Sequence, residues 1–167
     1  MTKESFDELF RSLHAPLVNY AFRYLKRRDS ASDIVQDAFI KLWHQRDSLE
    51  HQQSLKAYMY TIVRNLSLNY LRDNARELTD SDLLYKTELA AVTENSEEEL
   101  KKQRIRLLKR WVLELPERQR EAFELSRYEG LDHEEIALVM DVSRKTVNNH
   151  IVEALRNLQK LHDEHYQ

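Results

Sequence analysis

The 167-residue chain contains no cysteine, so a disulfide, a thiolate metal site and a cysteine nucleophile are all excluded. Glycine occurs once, at Gly130, and proline twice, at Pro16 and Pro116. So few turn residues cannot serve the many tight turns of a sheet protein. Long apolar runs are missing too. None approaches the ~20 residues of a membrane span, and the amino-terminal stretch MTKESFDELF lacks the apolar core of a secretory signal. A cytoplasmic protein without membrane insertion is expected. What the chain does have is leucine, glutamate, lysine and arginine, all good helix formers. With 41% apolar residues it can bury a core, and its length suffices for two small domains. The expected fold class is all-α.

The net charge of −3 hides a partition. Residues 1–76 carry 12 Lys and Arg against 9 Asp and Glu, a net of +3. Residues 77–100 carry 1 against 8, a net of −7, and residues 101–167 carry 13 against 12, a net of +1. The acidic, weakly periodic stretch Glu77–Glu99 is therefore read as a linker between domains at 1–76 and 100–167.

Apolar periodicity predicts four helices in the first domain. Phe6, Leu9, Phe10 and Leu13 form one stripe, which Pro16 should end. Leu17, Tyr20, Ala21, Tyr24 and Leu25 form a second, closing at the basic cluster Lys26-Arg27-Arg28. Ser30 followed by Asp33 has the pattern of a helix start for a third stripe of Ala31, Ile34, Val35, Ala38, Phe39, Leu42 and Trp43. After a polar connection at His44–Ser54, a fourth helix runs from about Leu55 to Arg76 with Tyr58, Met59, Ile62, Val63 and Leu66 inward. In the second domain, Leu100–Leu115 is predicted helical with Ile105, Leu108, Trp111 and Val112 inward. Pro116 suits the first turn of the next helix, Glu117–Tyr128, and Gly130 its left-handed termination.

Residues 131–158 then read as a helix-turn-helix. A short helix capped by Asp132 carries Ile136, Ala137 and Val139, and Val142 plugs the turn. Ser143 caps a longer helix with Val147, Ile151, Ala154, Leu155 and Leu158 inward. Its outward face offers Ser143, Arg144, Lys145, Thr146, Asn148, Asn149 and His150, residue types that bond phosphates and base edges at the end that enters a major groove. No acid lies between Ser143 and Glu153. An ordinary helical hairpin is the commoner fate of such a pattern, but the proportions and the acid-free face favour DNA binding.

The segment from Leu115-Pro116 through Glu134-Glu135-Ile136-Ala137, Val142-Ser143, Thr146-Val147 and Ala154-Leu155 resembles the carboxy-terminal, promoter-reading domain of bacterial sigma factors. Response-regulator domains share the Ser-x-x-Thr-Val-x-x-His arrangement, so the first half decides. Asp33-Ile34-Val35-Gln36-Asp37-Ala38-Phe39 with Lys41-Leu42-Trp43 resembles the polymerase-binding helix of sigma factors. Ala57-Tyr58-Met59, Ile62-Val63-Arg64-Asn65-Leu66 and Tyr70-Leu71-Arg72 resemble the helix that handles the −10 element. The whole chain is thus similar to sigma factors of the extracytoplasmic-function type (group IV), with a four-helix region 2-like domain and a helix-turn-helix region 4-like domain.

That resemblance implies three sets of contacts. Asp33, Gln36, Asp37 and Lys41 would meet the clamp helices of the polymerase β′ subunit, and the β flap is a further expected contact. Arg64, Asn65, Asn69 and Arg72 would meet the −10 element, with the His44–Ser54 loop helping to hold a flipped base. Ser143–His150 would read the −35 element. Core RNA polymerase, promoter DNA and an anti-sigma factor are the implied partners, and the free protein should be a monomer. Departures are Tyr58 where many members carry Trp, Asn69 where they carry Asp, and Glu153 where a basic residue is common. The first two bear on promoter specificity, the last on one phosphate contact. No catalytic constellation, cofactor motif or metal-ligand spacing is found; His162 and His165 stand as a lone pair. The chain is expected to direct an enzyme without being one. Two rival readings are a stand-alone helix-turn-helix transcription regulator, which would bind DNA as a dimer, and a helical protein-interaction adaptor.

Overall fold

The structure, a computed structural model, describes residues 1–49, 54–75 and 96–167. Those residues are helical throughout apart from their turns, with no strand among them. They divide into two compact units, one within Met1–Glu88 and one within Leu89–Gln167. Most of the stretch read as an acidic linker, 77–95, lies outside the described residues, as does Arg76.

The first unit packs three helices: α1 (Lys3–Leu25), α2 (Arg28–Gln45) and α3 (Leu55–Asp73), with a 3-10 turn at Arg46–Leu49. The two stripes expected on either side of Pro16 lie on one continuous α1. Proline in a helix interior costs roughly 3 kcal/mol, but here the carbonyl it leaves without a donor belongs to Ser12, on the exposed side. Against that cost stand Leu13, Leu17, Tyr20, Ala21 and Leu25, all buried on the opposite face, each large side chain contributing about 1.5–3 kcal/mol. Burial wins, and the break does not form.

The junction of α1 and α2 is also tighter than predicted. Lys26 ends α1 in the left-handed region (φ 57), Arg27 is extended, and α2 restarts at once. Ser30 consequently falls inside α2 and is not its cap. Its Oγ meets the Tyr70 hydroxyl on α3 at 3.2 Å, while Asp29 accepts from the Ser30 amide.

Leu17, Leu25, Val35, Leu42, Met59, Tyr60 and Val63 are almost fully enclosed in this unit. Burial pushes the Tyr60 phenol up to about 12, against a smaller downward pull from Arg23. An unfolded phenol titrates near 10. The folded chain therefore holds this proton more tightly between those values, and the stability tied to it is complete below pH ~10 and lost as pH rises toward 12. Tyr60→Phe should flatten that stretch of the alkaline denaturation curve of the first unit. An unchanged slope would mean that the phenol is not held in its buried, neutral form.

The second unit contains α4 (Glu97–Glu114), α5 (Glu117–Arg127), α6 (His133–Met140) and α7 (Arg144–His165). The helix expected from Leu100 begins three residues earlier. Ser96 accepts from the Glu99 amide, and Glu97, Glu98 and Glu99 occupy the first turn. Its expected inward face is only half realised: Val112 is buried and Trp111 partly so, whereas Ile105 and Leu108 are exposed. The core of this unit reaches only the last turn of α4, where Val112 and Leu115 meet Phe123, Ala154 and Leu158. Gly130 adopts φ 66 and closes the turn after α5 as expected. No described helix is long and apolar enough to cross a membrane.

Candidate functional site

The helix-turn-helix is built by its caps. Asp132 accepts from the Glu135 amide at 2.8 Å while the Glu135 carboxylate accepts from the Asp132 amide at 3.2 Å, a reciprocal capping box that starts α6. Asp141 takes the left-handed conformation (φ 54) and ends it. Ser143 then accepts from the Thr146 amide at 3.1 Å and starts α7. Ile136, Val139 and Met140 are buried from α6, and Val147, Ala154 and Leu158 from α7, with Ile151 partly so. Leu155, expected inward, is exposed: it lies one residue round the helix from Ala154, outside the i, i+4, i+7, i+11 stripe that α5 and α6 cover. Asn157 ties α7 to α5 by donating to Gln119 at 2.7 Å.

With the core stripe turned inward, Lys145 and Asn149 lie opposite it and the other predicted DNA-reading residues lie between. Ser143, Arg144, Lys145, Asn148 and Asn149 are exposed; Thr146 and His150 are partly so. Two ion pairs modify this face, neither predicted from sequence. Arg144 reaches Glu134 on α6 at 3.1 Å, and Glu153 is paired with Arg156 at 2.7 Å. The second pair offsets the acid that departs from the sigma-factor pattern.

The first pair holds one of the predicted DNA-reading cations beside a carboxylate. Both partners are more than two-thirds exposed, so the pair stabilises the fold by only about 0–1 kcal/mol. Glu134→Gln should leave the fold unchanged. Freed of its carboxylate, Arg144 should tighten duplex binding by roughly threefold to tenfold at low salt, with the gain shrinking as salt screens it. Binding that is equal to wild type across a salt series would place Arg144 away from the DNA.

In the first unit, Asp33, Gln36, Asp37 and Lys41 are all exposed on one face of α2, opposite buried Ile34, Val35, Ala38 and Leu42. No ion pair engages Asp33, Asp37 or Lys41 among the described residues. Beside them α1 and α2 frame an open groove of about 620 Å³ that the sequence reading did not anticipate. Phe6, Phe10, Phe39, Ile40 and Trp43 line it with Gln36, His14 and His44. Phe6 meets the Trp43 ring edge-on at 5.0 Å, and Phe10 packs on Phe39 at 4.8 Å. The signal for it lay in the first stripe, where two phenylalanines sit on a helix that is mostly polar at that end.

On α3, Asn65, Asn69 and Arg72 follow i, i+4, i+7 spacing and are exposed; Arg64 is partly buried beside them. Tyr58 donates to Gln45, tying the start of α3 to the end of α2, and Arg46 lies 4.2 Å from the centre of the Trp43 ring. The connection between these helices is described only as far as Leu49, where the side chain is buried, and again from Ser54. The site thus comprises three separate faces, on α2, α3 and α7. Among the described residues no group of three or more His, Asp or Glu side chains is arranged to hold a metal.

Comparison with known proteins separates the same two units. Residues 9–77 match the family model for Sigma-70 region 2, and residues 105–158 that for Sigma-70, region 4. The chain is 30% identical over 160 residues to the ECF RNA polymerase sigma-E factor of Escherichia coli, spanning 91% of this chain and 83% of that one. It is 26% identical to the RNA polymerase sigma factor YlaC of Bacillus subtilis, over 95% and 92% of the two chains. Among solved structures it is similar to the sigma factor RpoE of Bartonella quintana, determined with the anti-sigma factor NepR. That match has a TM-score of 0.66 and 27% identity, over 96% of this chain and 98% of the other.

Proposed function

The chain belongs to the sigma-70 family, in its extracytoplasmic-function branch, and on that premise we propose how its parts divide the work of promoter selection. It is an alternative sigma factor that directs promoter-specific transcription initiation. The observation that carries this is the order of its parts: a region 2 match followed by a region 4 match, in a chain that aligns end to end with sigma factors. A stand-alone regulator would need only the second part, and that reading is not favoured.

In the proposed division, residues 1–76 bind core polymerase and the −10 element, and the unit from about residue 97 onward binds the −35 element. Asp33, Gln36, Asp37 and Lys41 dock on the β′ clamp helices, whose aliphatic side chains would also meet the neighbouring aromatic groove. Arg64 and Arg72 hold phosphates of the melting −10 segment while Asn65 and Asn69 bond exposed base edges. Arg144, Lys145, Asn148, Asn149 and His150, with Ser143 and Thr146, read the duplex −35 element from the major groove. The β flap is a second polymerase contact. The chain directs the polymerase in the cytoplasm without chemistry of its own, and an anti-sigma factor holds it inactive, as NepR is bound to the Bartonella relative.

In vitro transcription with bacterial core polymerase and a genomic library tests the reading. Adding the protein should create new start sites that share upstream sequence at two positions. If no core preparation yields new start sites, while the isolated protein binds specific duplexes as a dimer, the regulator reading replaces this one.

A further inference from the structure

Along α7, Lys145, Asn149, Val152 and Arg156 follow i, i+4, i+7, i+11 spacing, and all four are exposed. They run down the side of the helix turned away from buried Val147, Ala154 and Leu158. Three of the four are polar or charged. Val152 is neither, and none of the contacts proposed above uses it. The core of the unit lies across the helix from it. Helix propensity does not favour it either, because β-branched valine is a poorer helix former than lysine, arginine or glutamine.

Single exposed apolar residues are common on protein surfaces. The place of this one within its row sets it apart. It stands about 5 Å along the helix axis from Asn149 and about 10 Å from Lys145, on the same side as both, so it continues the face assigned to the −35 element. It also closes the acid-free stretch that begins at Ser143. The acid that follows, Glu153, is paired with Arg156 at 2.7 Å.

A valine side chain has no donor or acceptor, so it bonds neither a phosphate nor a polar base edge. It offers two methyl groups held by one strongly preferred rotamer in a helix. The apolar group that the four standard base pairs display in a major groove is the C5-methyl of thymine. We infer that Val152 reads a thymine C5-methyl group of the −35 element, beyond the base pair met by Asn149. The inference rests on the −35 reading of α7 and adds an apolar contact to its polar ones. Asn149 selects a base by hydrogen bonds, Val152 by the methyl group that it removes from water.

The test compares holoenzyme carrying the wild-type chain with holoenzyme carrying Val152→Ala. Alanine is the better helix former and the site is exposed, so the variant should match wild type by circular dichroism. Each thymine of the −35 element, on either strand, is replaced in turn by deoxyuridine, which lacks only the C5-methyl group. At one position the replacement should weaken wild-type binding by about fourfold, and in Val152→Ala that penalty should largely disappear. The inference is overturned if no position shows a penalty that differs between the two proteins, or if the −35 element consists only of G·C pairs. A loss of core-polymerase affinity in Val152→Ala, with every thymine penalty unchanged, overturns it too and assigns the residue to a protein contact. A promoter with a scrambled −35 element is bound in parallel by the wild type. Unaltered affinity there means that the −35 reading itself fails; a fall in affinity without any Val152-dependent methyl penalty removes the Val152 contact alone.

Discussion

Asp37→Arg is expected to weaken association with core polymerase by roughly a hundredfold, and to leave the melting temperature of the protein where it was. Asp37 is exposed on α2, on the side away from the buried Ala38 and Leu42, so reversing its charge disturbs no packing. Surface changes of this type usually alter stability by no more than about 0.5 kcal/mol. In the complex the same carboxylate would be desolvated against a basic partner. Losing one member of such a pair costs about 2–5 kcal/mol, and each 1.4 kcal/mol is roughly tenfold in affinity. Fluorescence anisotropy of a labelled protein titrated with core enzyme measures this directly. Wild-type affinity in the variant would remove α2 from the polymerase interface and leave the aromatic groove beside it unexplained.

Ile136→Ala should have the largest effect on stability, confined to the second unit. Ile136 is fully enclosed between α6 and its neighbours, and removing three methyl or methylene groups from such a site costs about 2–5 kcal/mol. A unit of this size has only a few kcal/mol to lose. The core of Val112, Leu115, Phe123, Ala154 and Leu158 lies within residues of the second unit alone, so the first unit should keep its own melting transition. Hydrogen exchange should show α5–α7 losing protection while α1–α3 retain it. Transcription should persist from promoters that depend on the −10 element and fall where the −35 element is required. A single transition that carries both units down together would refute their independence.

What the sequence made legible follows from how local each determinant is. The caps at Asp132 and Ser143 and the left-handed Gly130 depend on a few neighbouring residues, and each is found where the pattern puts it. The exposed faces of α2 and α7 follow from helical periodicity, which needs only the stripe opposite. Determinants that require a partner elsewhere were harder. Pro16 signals a break that only the burial of Leu13 and Leu17 overrides. Ser30 has the side chain of a cap but is bonded to Tyr70, forty residues away. Ile105 and Leu108 continue the apolar pattern of α4, yet α7 ends its contact with that helix nearer Val112. The Arg144–Glu134 pair and the Phe6–Trp43 groove join different helices, and no spacing within one helix announces them.

Five of the described helices carry an acidic residue in the first turn, from Glu4 in α1 to Glu134 and Glu135 in α6. The first turns of α3 and α7 have none, and those are the two helices proposed to touch the promoter. A helix start behaves as about half a positive charge. In the other five an internal carboxylate answers that charge; in α7, whose first turns carry the proposed −35 contacts, it would be left for a phosphate to answer, at roughly 0.3–1 kcal/mol. The DNA would then complete the electrostatics of that helix, and the start of α7 should fray less when the promoter is bound than when it is absent.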